Sequence, residues 1–191
     1  MKKDILLAGV GGQGILSIAF VIDNAVMKQG LFFKQAEVHG MAQRGGAVQS
    51  HLRYADREIY SDLVPRGKAD MVLSVEPLES LRYLAYLSPE GIVISSSAPF
   101  INIPDYPDID DLLKRIRSLK NHILVDSDKL AREAGSIRAQ NMVMLGAASG
   151  HLGLKEKNLL EFVKLLFAAK GDRLIDLNVK AFQLGKEAAL S

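Results

Sequence analysis

Apolar and polar residues follow one another in blocks along this chain, and the period of the blocks changes from segment to segment. KDILLAGV, residues 3–10, is a short apolar run closed by Gly9, as a buried strand would be. QGILSIAFVIDNAVMKQG, residues 13–30, carries apolar residues at helical spacing until Gly30 ends it, and LFFKQA, residues 31–36, reads as a second strand. Strand, glycine turn, helix and strand predict a parallel βαβ unit with a right-handed crossover in the first fifty residues. From Ala47 to Tyr60 the rhythm turns to strict alternation, AVQSHLRYADREIY, which predicts an antiparallel hairpin turning at Asp56-Arg57 and hence a mixed sheet.

ADMVLSVE and GIVISSS restore the β-branched pattern of central parallel strands, and PLESLRYLAYL between them predicts an amphipathic helix favoured in its first turn by Pro77 and Glu79. PFINIPDYPD, residues 99–108, is broken by Pro99, Pro104 and Pro107 and reads as an extended connector over the surface. A helix IDDLLKRIRSL, a strand HILVD and a run of helices (SDKLAREAG, QNMVMLGAASGHLGL, KEKNLLEFVKLLFAA and LIDLNVKAFQLGKEAAL) complete the chain. The expectation is an α/β fold of Rossmann-like kind: an open, mostly parallel but mixed sheet with helices on both faces, a helical C-terminal third, and a single domain over residues 1–191.

Composition narrows the function. The 191 residues, 48% hydrophobic and 24% charged, suit one domain with a full core. A net charge of +2 supplies no field that points to nucleic acid, though binding a small anion needs only local charge. With no cysteine, the chain can form no disulfide, thiolate zinc site or cysteine-ligated iron–sulfur cluster. The start MKKDILLAGVGG has a short apolar run and no small-residue cleavage site, and Ile15 to Met27, interrupted by Asp23 and Asn24, is too short to span a bilayer, so a cytoplasmic, membrane-free location is expected.

Chemistry concentrates first at the glycine turn. Gly9, Gly11 and Gly14 satisfy G-x-G-x-x-G, with Gly12 as an additional glycine, between a strand and a helix. Glycines let a backbone approach a ligand closely, and the amides at a helix start attract phosphate, so the turn predicts an anion site; a tight turn without a ligand is the alternative. A dinucleotide would need an acid about 20 residues further on, and Glu37 is the only nearby candidate.

The second concentration is EVHGMAQRGG, residues 37–46, where Glu37, His39, Gln43 and Arg44 are followed by Gly45 and Gly46 between two strand-like segments. Together with GVGGQGILSIA at 9–19, this stretch resembles the gamma-type subunit of the 2-oxoacid:ferredoxin oxidoreductases, and its wording favours the indolepyruvate branch over those acting on pyruvate, 2-ketoisovalerate or 2-oxoglutarate. ADMVLSVEPLESLRYL, SPEGIVI and AGSIRAQNMVMLGA extend the resemblance over most of the chain.

The resemblance implies the smaller subunit of an oligomer that oxidatively decarboxylates an aryl-2-oxoacid, such as indolepyruvate, to an acyl-CoA, and a chain inactive alone. It implies a larger partner subunit that holds thiamine diphosphate, Mg²⁺ and the 4Fe–4S clusters and passes electrons to ferredoxin. It leaves no cofactor bound by this chain alone, coenzyme A being shared with the partner through the glycine turn, Gly11, Gly12, Gln13 and Gly14, and through Arg138 to Asn141.

On this view the loop at 37–46 is polar because it faces the partner and a shared site. Arg44 is then the residue to meet a carboxylate or phosphate through its planar fork, with Gly45 and Gly46 letting the chain turn beside it. Asn141 would hydrogen-bond the carrier's amides; a helix-capping asparagine is the alternative. His39 reads as an interface residue rather than an acid or base, and His51, His122 and His151 form no ligand-like group, so no metal site is expected. Ser95-Ser96-Ser97 reads as a strand-end turn more readily than as an anion site. Apolar surface bared without the partner could make the isolated chain self-associate. Two rival readings are a free-standing nicotinamide-dependent enzyme and a nucleotide-binding module that signals to a partner; neither a convincing ribose-binding acid nor a proton-transfer residue supports the first.

Overall fold

A run as apolar as residues 4–10 must be covered on both sides, because successive strand side chains point to opposite faces. The computed structural model, which describes residues 1–39 and 45–190 and the backbone alone of Val38 and His39, places β1 (Lys2–Val10) accordingly. Ile5 and Leu7 enter the larger core, beneath α1 (Ile15–Lys28) and α5 (Gln140–Ala148), while Leu6 packs on the other face with Val72, Val93 and Ile116. The other strands are β2 (Phe32–His39), β3 (Ala47–Ala55), β4 (Ala69–Ser74), β5 (Leu87–Ser96) and β6 (His122–Val125), in the spatial order β2-β3-β1-β4-β5-β6. β1, β4, β5 and β6 are parallel to one another, whereas β3 runs antiparallel to both β1 and β2.

The mixed sheet with helices on both faces is as expected, and β1 and β2 run in the same direction across α1 as the βαβ reading has it, but two details differ. β1 and β2 do not pair: β3 lies between them, aligned with β1 from Lys2↔Ala55 to Val10↔Ala47 and with β2 from Phe32↔Ala55 to His39↔Val48. A connection of only seven residues between β2 and β3 makes the antiparallel return the nearest pairing. Nor is there a hairpin at Asp56-Arg57. Both edges of β3 are already filled, so a returning strand has no ladder to join, and residues 56–68 run irregularly, with the Asp56 carboxylate ion-paired to the N-terminal amine of Met1.

The helix expected over PLESLRYLAYL is also shorter. α2 (Pro77–Arg82) gives way to a 3₁₀ turn at Leu84–Tyr86, and β5 starts at Leu87. α2 and α3 (Ile109–Arg117) cover one face of the sheet. The other face carries α1, α4 (Ser127–Ala134), α5, α6 (Glu156–Phe167) and α7 (Asp172–Ala188). α5 and α7 touch backbone to backbone: a Cβ on Gly146 would lie 1.9 Å from the Phe182 carbonyl oxygen, and one on Gly185 equally close to that of Val143. This contact fixes the start of α5, and with it Asn141, beside the glycine turn.

Candidate functional site

After β1 the chain crosses to the β2 side, and after β4 it proceeds towards β6, so the carboxyl ends of β1 and β4 flank the point where connections diverge. Open α/β sheets take ligands at such a point. The glycine turn stands there, joining β1 to α1. Val75, just past β4, donates its amide to the Ala8 carbonyl at 3.1 Å and so seals the bottom of the crevice.

The turn is held from within by Gln13. Its Oε1 accepts the Val10 amide at 2.8 Å, its own amide reaches the Val10 carbonyl at 3.1 Å, and its Nε2 points to the Val75 carbonyl at 3.5 Å. Gln13 therefore shapes the turn. Gly9 serves close packing, since a Cβ there would sit 2.6 Å from Ile15 Cδ1. Gly14 precedes α1 in the left-handed conformation, φ 80° and ψ 29°, and offers no side-chain cap, so the first amides of α1 remain available. Gly12, φ 103°, has open space where a Cβ would be.

Segments far apart in sequence converge on this turn. Gly11 donates to the Gly46 carbonyl at 2.8 Å and accepts from the Gly45 amide at 3.3 Å, so the glycine pair is laced directly to the G-x-G. Asn141, 6% exposed, donates from Nδ2 to the Gly14 carbonyl at 3.3 Å and accepts the Met142 amide on Oδ1 at 3.0 Å. The cap position of α5 belongs to Ala139, so Asn141 is a strut between two helix starts rather than a cap. Arg44, with Gln43, lies outside the described residues, as does the side chain of His39. Glu37 lies within β2, hydrogen-bonded by Gln35 at 2.7 Å, with β3 separating its strand from β1. It is therefore not on the strand next to the glycine turn, where a ribose-binding acid belongs.

The connector at 99–108 plays a part that the sequence pattern did not disclose. It folds back over the crevice: Asn102 Nδ2 donates to the Gly45 carbonyl, and Phe100 lines a 370 Å³ cavity with Gly11, Gly12, Gly14, Arg138 and Asn141. Its anchor is Glu76, 1% exposed, which caps α2 through the Glu79 amide at 2.8 Å and accepts the Tyr106 hydroxyl and the Phe100 amide. Burial pushes the Glu76 carboxyl above its usual range, against the pull of those three donors. The one sequence signal for this anchor was an acid immediately before Pro77 at a strand end.

The remaining sequence candidates have structural roles. Ser96 Oγ pairs with Ser127 Oγ at 2.7 Å and accepts the Ala98 amide, and Ser95 Oγ donates to the Ser96 carbonyl, which is strand-end turn chemistry. His51 is buried in the middle of β3, where its Nδ1 accepts the Val64 amide at 3.0 Å and burial lowers its pKa, so it is neutral. A larger cavity of 600 Å³ lies at the opposite, amino-terminal end of the parallel strands, lined by Lys3, Asp70, Glu90 and Lys120, but it has neither a helix start nor a glycine turn beside it. No described helix is long and apolar enough to cross a membrane, and no three described His, Asp or Glu side chains converge as metal ligands.

Comparison with known proteins agrees with this architecture. Indolepyruvate oxidoreductase subunit IorB of Thermococcus kodakarensis is 38% identical over 200 residues, covering 99% of this chain and 97% of that protein. The IorB subunit of Pyrococcus horikoshii is 37% identical over the same shares. The 2-oxoglutarate:ferredoxin oxidoreductase of Magnetococcus marinus, solved with 2-oxoglutarate, coenzyme A and succinyl-CoA bound, shares the fold with a TM-score of 0.80 at 23% identity, over 99% of this chain and 31% of that one. With residues 4–188 matching its pattern, the chain belongs to the pyruvate ferredoxin/flavodoxin oxidoreductase family.

Proposed function

We propose that this chain is the smaller subunit of an indolepyruvate, or aryl-2-oxoacid, ferredoxin oxidoreductase, inactive by itself. The observation that carries the reading is likeness to IorB subunits along essentially the whole of both chains. The relatives are named as subunits and are covered to 97% of their length, which supports placing the remaining machinery on a separate polypeptide. Residues 1–191 are then one gamma-type domain, cytoplasmic, whose larger partner carries thiamine diphosphate, Mg²⁺ and the 4Fe–4S clusters and delivers electrons to ferredoxin. Leu16, Phe20 and Met27 on one face of α1 form an exposed apolar stripe that such a partner would cover.

This chain's share is to place coenzyme A. Its residues fit that carrier: Gly12 leaves room for close approach, the uncapped start of α1 presents amides to a pyrophosphate, and Arg138 adds a fixed positive charge at the cavity wall. Asn141 holds the turn in shape, and Arg44, next in sequence to the Gly45 that meets Gly11, contacts the substrate carboxylate or a carrier phosphate. Coenzyme A supplies the thiol that takes the acyl group; the residues here bind and orient it. The test is co-expression with the larger subunit followed by coenzyme A-dependent oxidation of aryl and aliphatic 2-oxoacids. Preference for the aryl acids by the assembled enzyme, with none by the chain alone, is expected. Complete turnover by this chain unaided would overturn the reading.

A further inference from the structure

The cavity at the glycine turn that Phe100 lines shares a wall with a second one. Arg138 and Asn141 also line a 500 Å³ cavity bounded by Ser17, Ser136, Lys170 and Asn178, with Phe167, Leu174 and Leu177 as an apolar floor. Among the described residues neither cavity has an Asp or Glu in its lining, and Arg138 and Lys170 are the only charged ones there. Among the described residues neither of them meets a carboxylate; the Lys170 ammonium rests 5.5 Å from the centroid of the Phe167 ring. The cavities elsewhere are different in kind. Acids stand beside the lysines at the amino-terminal end of the sheet, and Lys28 is paired with Glu161 in the cavity between α1 and α6. Uncompensated positive charge next to an apolar floor is thus a property of the glycine-turn cleft.

We propose that this second cavity is a phosphomonoester subsite, in which Lys170 and Arg138 receive the ribose 3′-phosphate of coenzyme A while the Phe167, Leu174 and Leu177 floor lies against the adenine. This rests on the reading that the glycine turn takes the pyrophosphate. The two phosphate groups hang from the 5′ and 3′ oxygens of one ribose, and two adjoining anion subsites joined through Arg138 match that connectivity. Arg138 offers a planar fork to either group, whereas Lys170, a point charge at the far side, reaches only the second cavity. Lys170 is therefore the residue that tells coenzyme A from dephospho-coenzyme A, which lacks only the 3′-phosphate.

The experiment is calorimetric titration of the enzyme assembled from both subunits with coenzyme A and with dephospho-coenzyme A, for the native chain, Lys170→Ala and Lys170→Arg. Native enzyme is expected to bind coenzyme A at least tenfold more tightly than the dephospho form. Lys170→Ala should bring the two affinities together by weakening coenzyme A alone, and Lys170→Arg should retain the preference. Equal affinities in the native enzyme, or equal weakening of both carriers by Lys170→Ala, would overturn the subsite while leaving coenzyme A at the glycine turn. Failure of both carriers to bind would remove the subsite and the placement of coenzyme A together.

Discussion

Replacing Gly14 by alanine tests the strut between the two helix starts. Two costs are built into the site. The backbone at φ 80° is left-handed, which costs an alanine about 1–2 kcal/mol. The new Cβ would also fall 2.5 Å from Asn141 Nδ2 and 3.1 Å from its Cγ, so the amide must swing away and give up its hydrogen bond to the Gly14 carbonyl, a further loss of about 1 kcal/mol. That carbonyl still accepts the Ser17 amide at 3.0 Å, so no buried acceptor is stranded, and Gly14→Ala should cost about 2–3 kcal/mol in all. With Asn141→Ala already present, the collision and the hydrogen bond are both gone. Gly14→Ala should then cost only the backbone share, leaving a coupling of about 1 kcal/mol between the two positions. Urea denaturation of the four proteins, followed by circular dichroism, measures the cycle. If the two costs add to within about 0.3–0.5 kcal/mol, the positions are independent and the strut is refuted.

Two further predictions concern buried charge. Asp4, 1% exposed, is held by Arg53 Nε at 2.7 Å and by Lys2 at 2.8 Å, so Arg53→Ala should lower stability by about 3–5 kcal/mol because the carboxylate is left buried without its main partner; a loss below about 1 kcal/mol in chemical denaturation would contradict this. Asp23, buried within α1, has its pKa raised to about 7 by burial and then by the Glu37 charge, and its Oδ1 has no hydrogen-bond partner among the described residues. The folded state therefore holds a proton that the unfolded chain releases near pH 4. The contribution is complete below that pH and is lost as pH rises through about 7. Asp23→Asn should raise the melting temperature relative to the native chain at pH 8, with the difference shrinking towards pH 4; a difference independent of pH would contradict the assignment.

The amino-acid pattern alone determined the elements whose signals are local. β1, the glycine turn and α1 follow from an apolar run, three spaced glycines and a helical period within thirty residues, and the anion site proposed at the turn rests on the same residues. The family, too, was readable from short motifs because they are specific words. What failed were statements about pairing. A strand's neighbour is chosen by which edge is free and how short the connection is, so β3 entered between β1 and β2, leaving them parallel but not adjacent, and removed the expected hairpin. The cleft is likewise a product of tertiary structure. Gly45 and Gly46 meet Gly11, Asn141 meets Gly14, Phe100 returns over the turn on its Glu76 anchor, and Lys170 comes beside Arg138, across separations of tens of residues. Composition registers only how many lysines and glycines exist; the folded chain sets Lys170 against an apolar floor with no acid in the described lining.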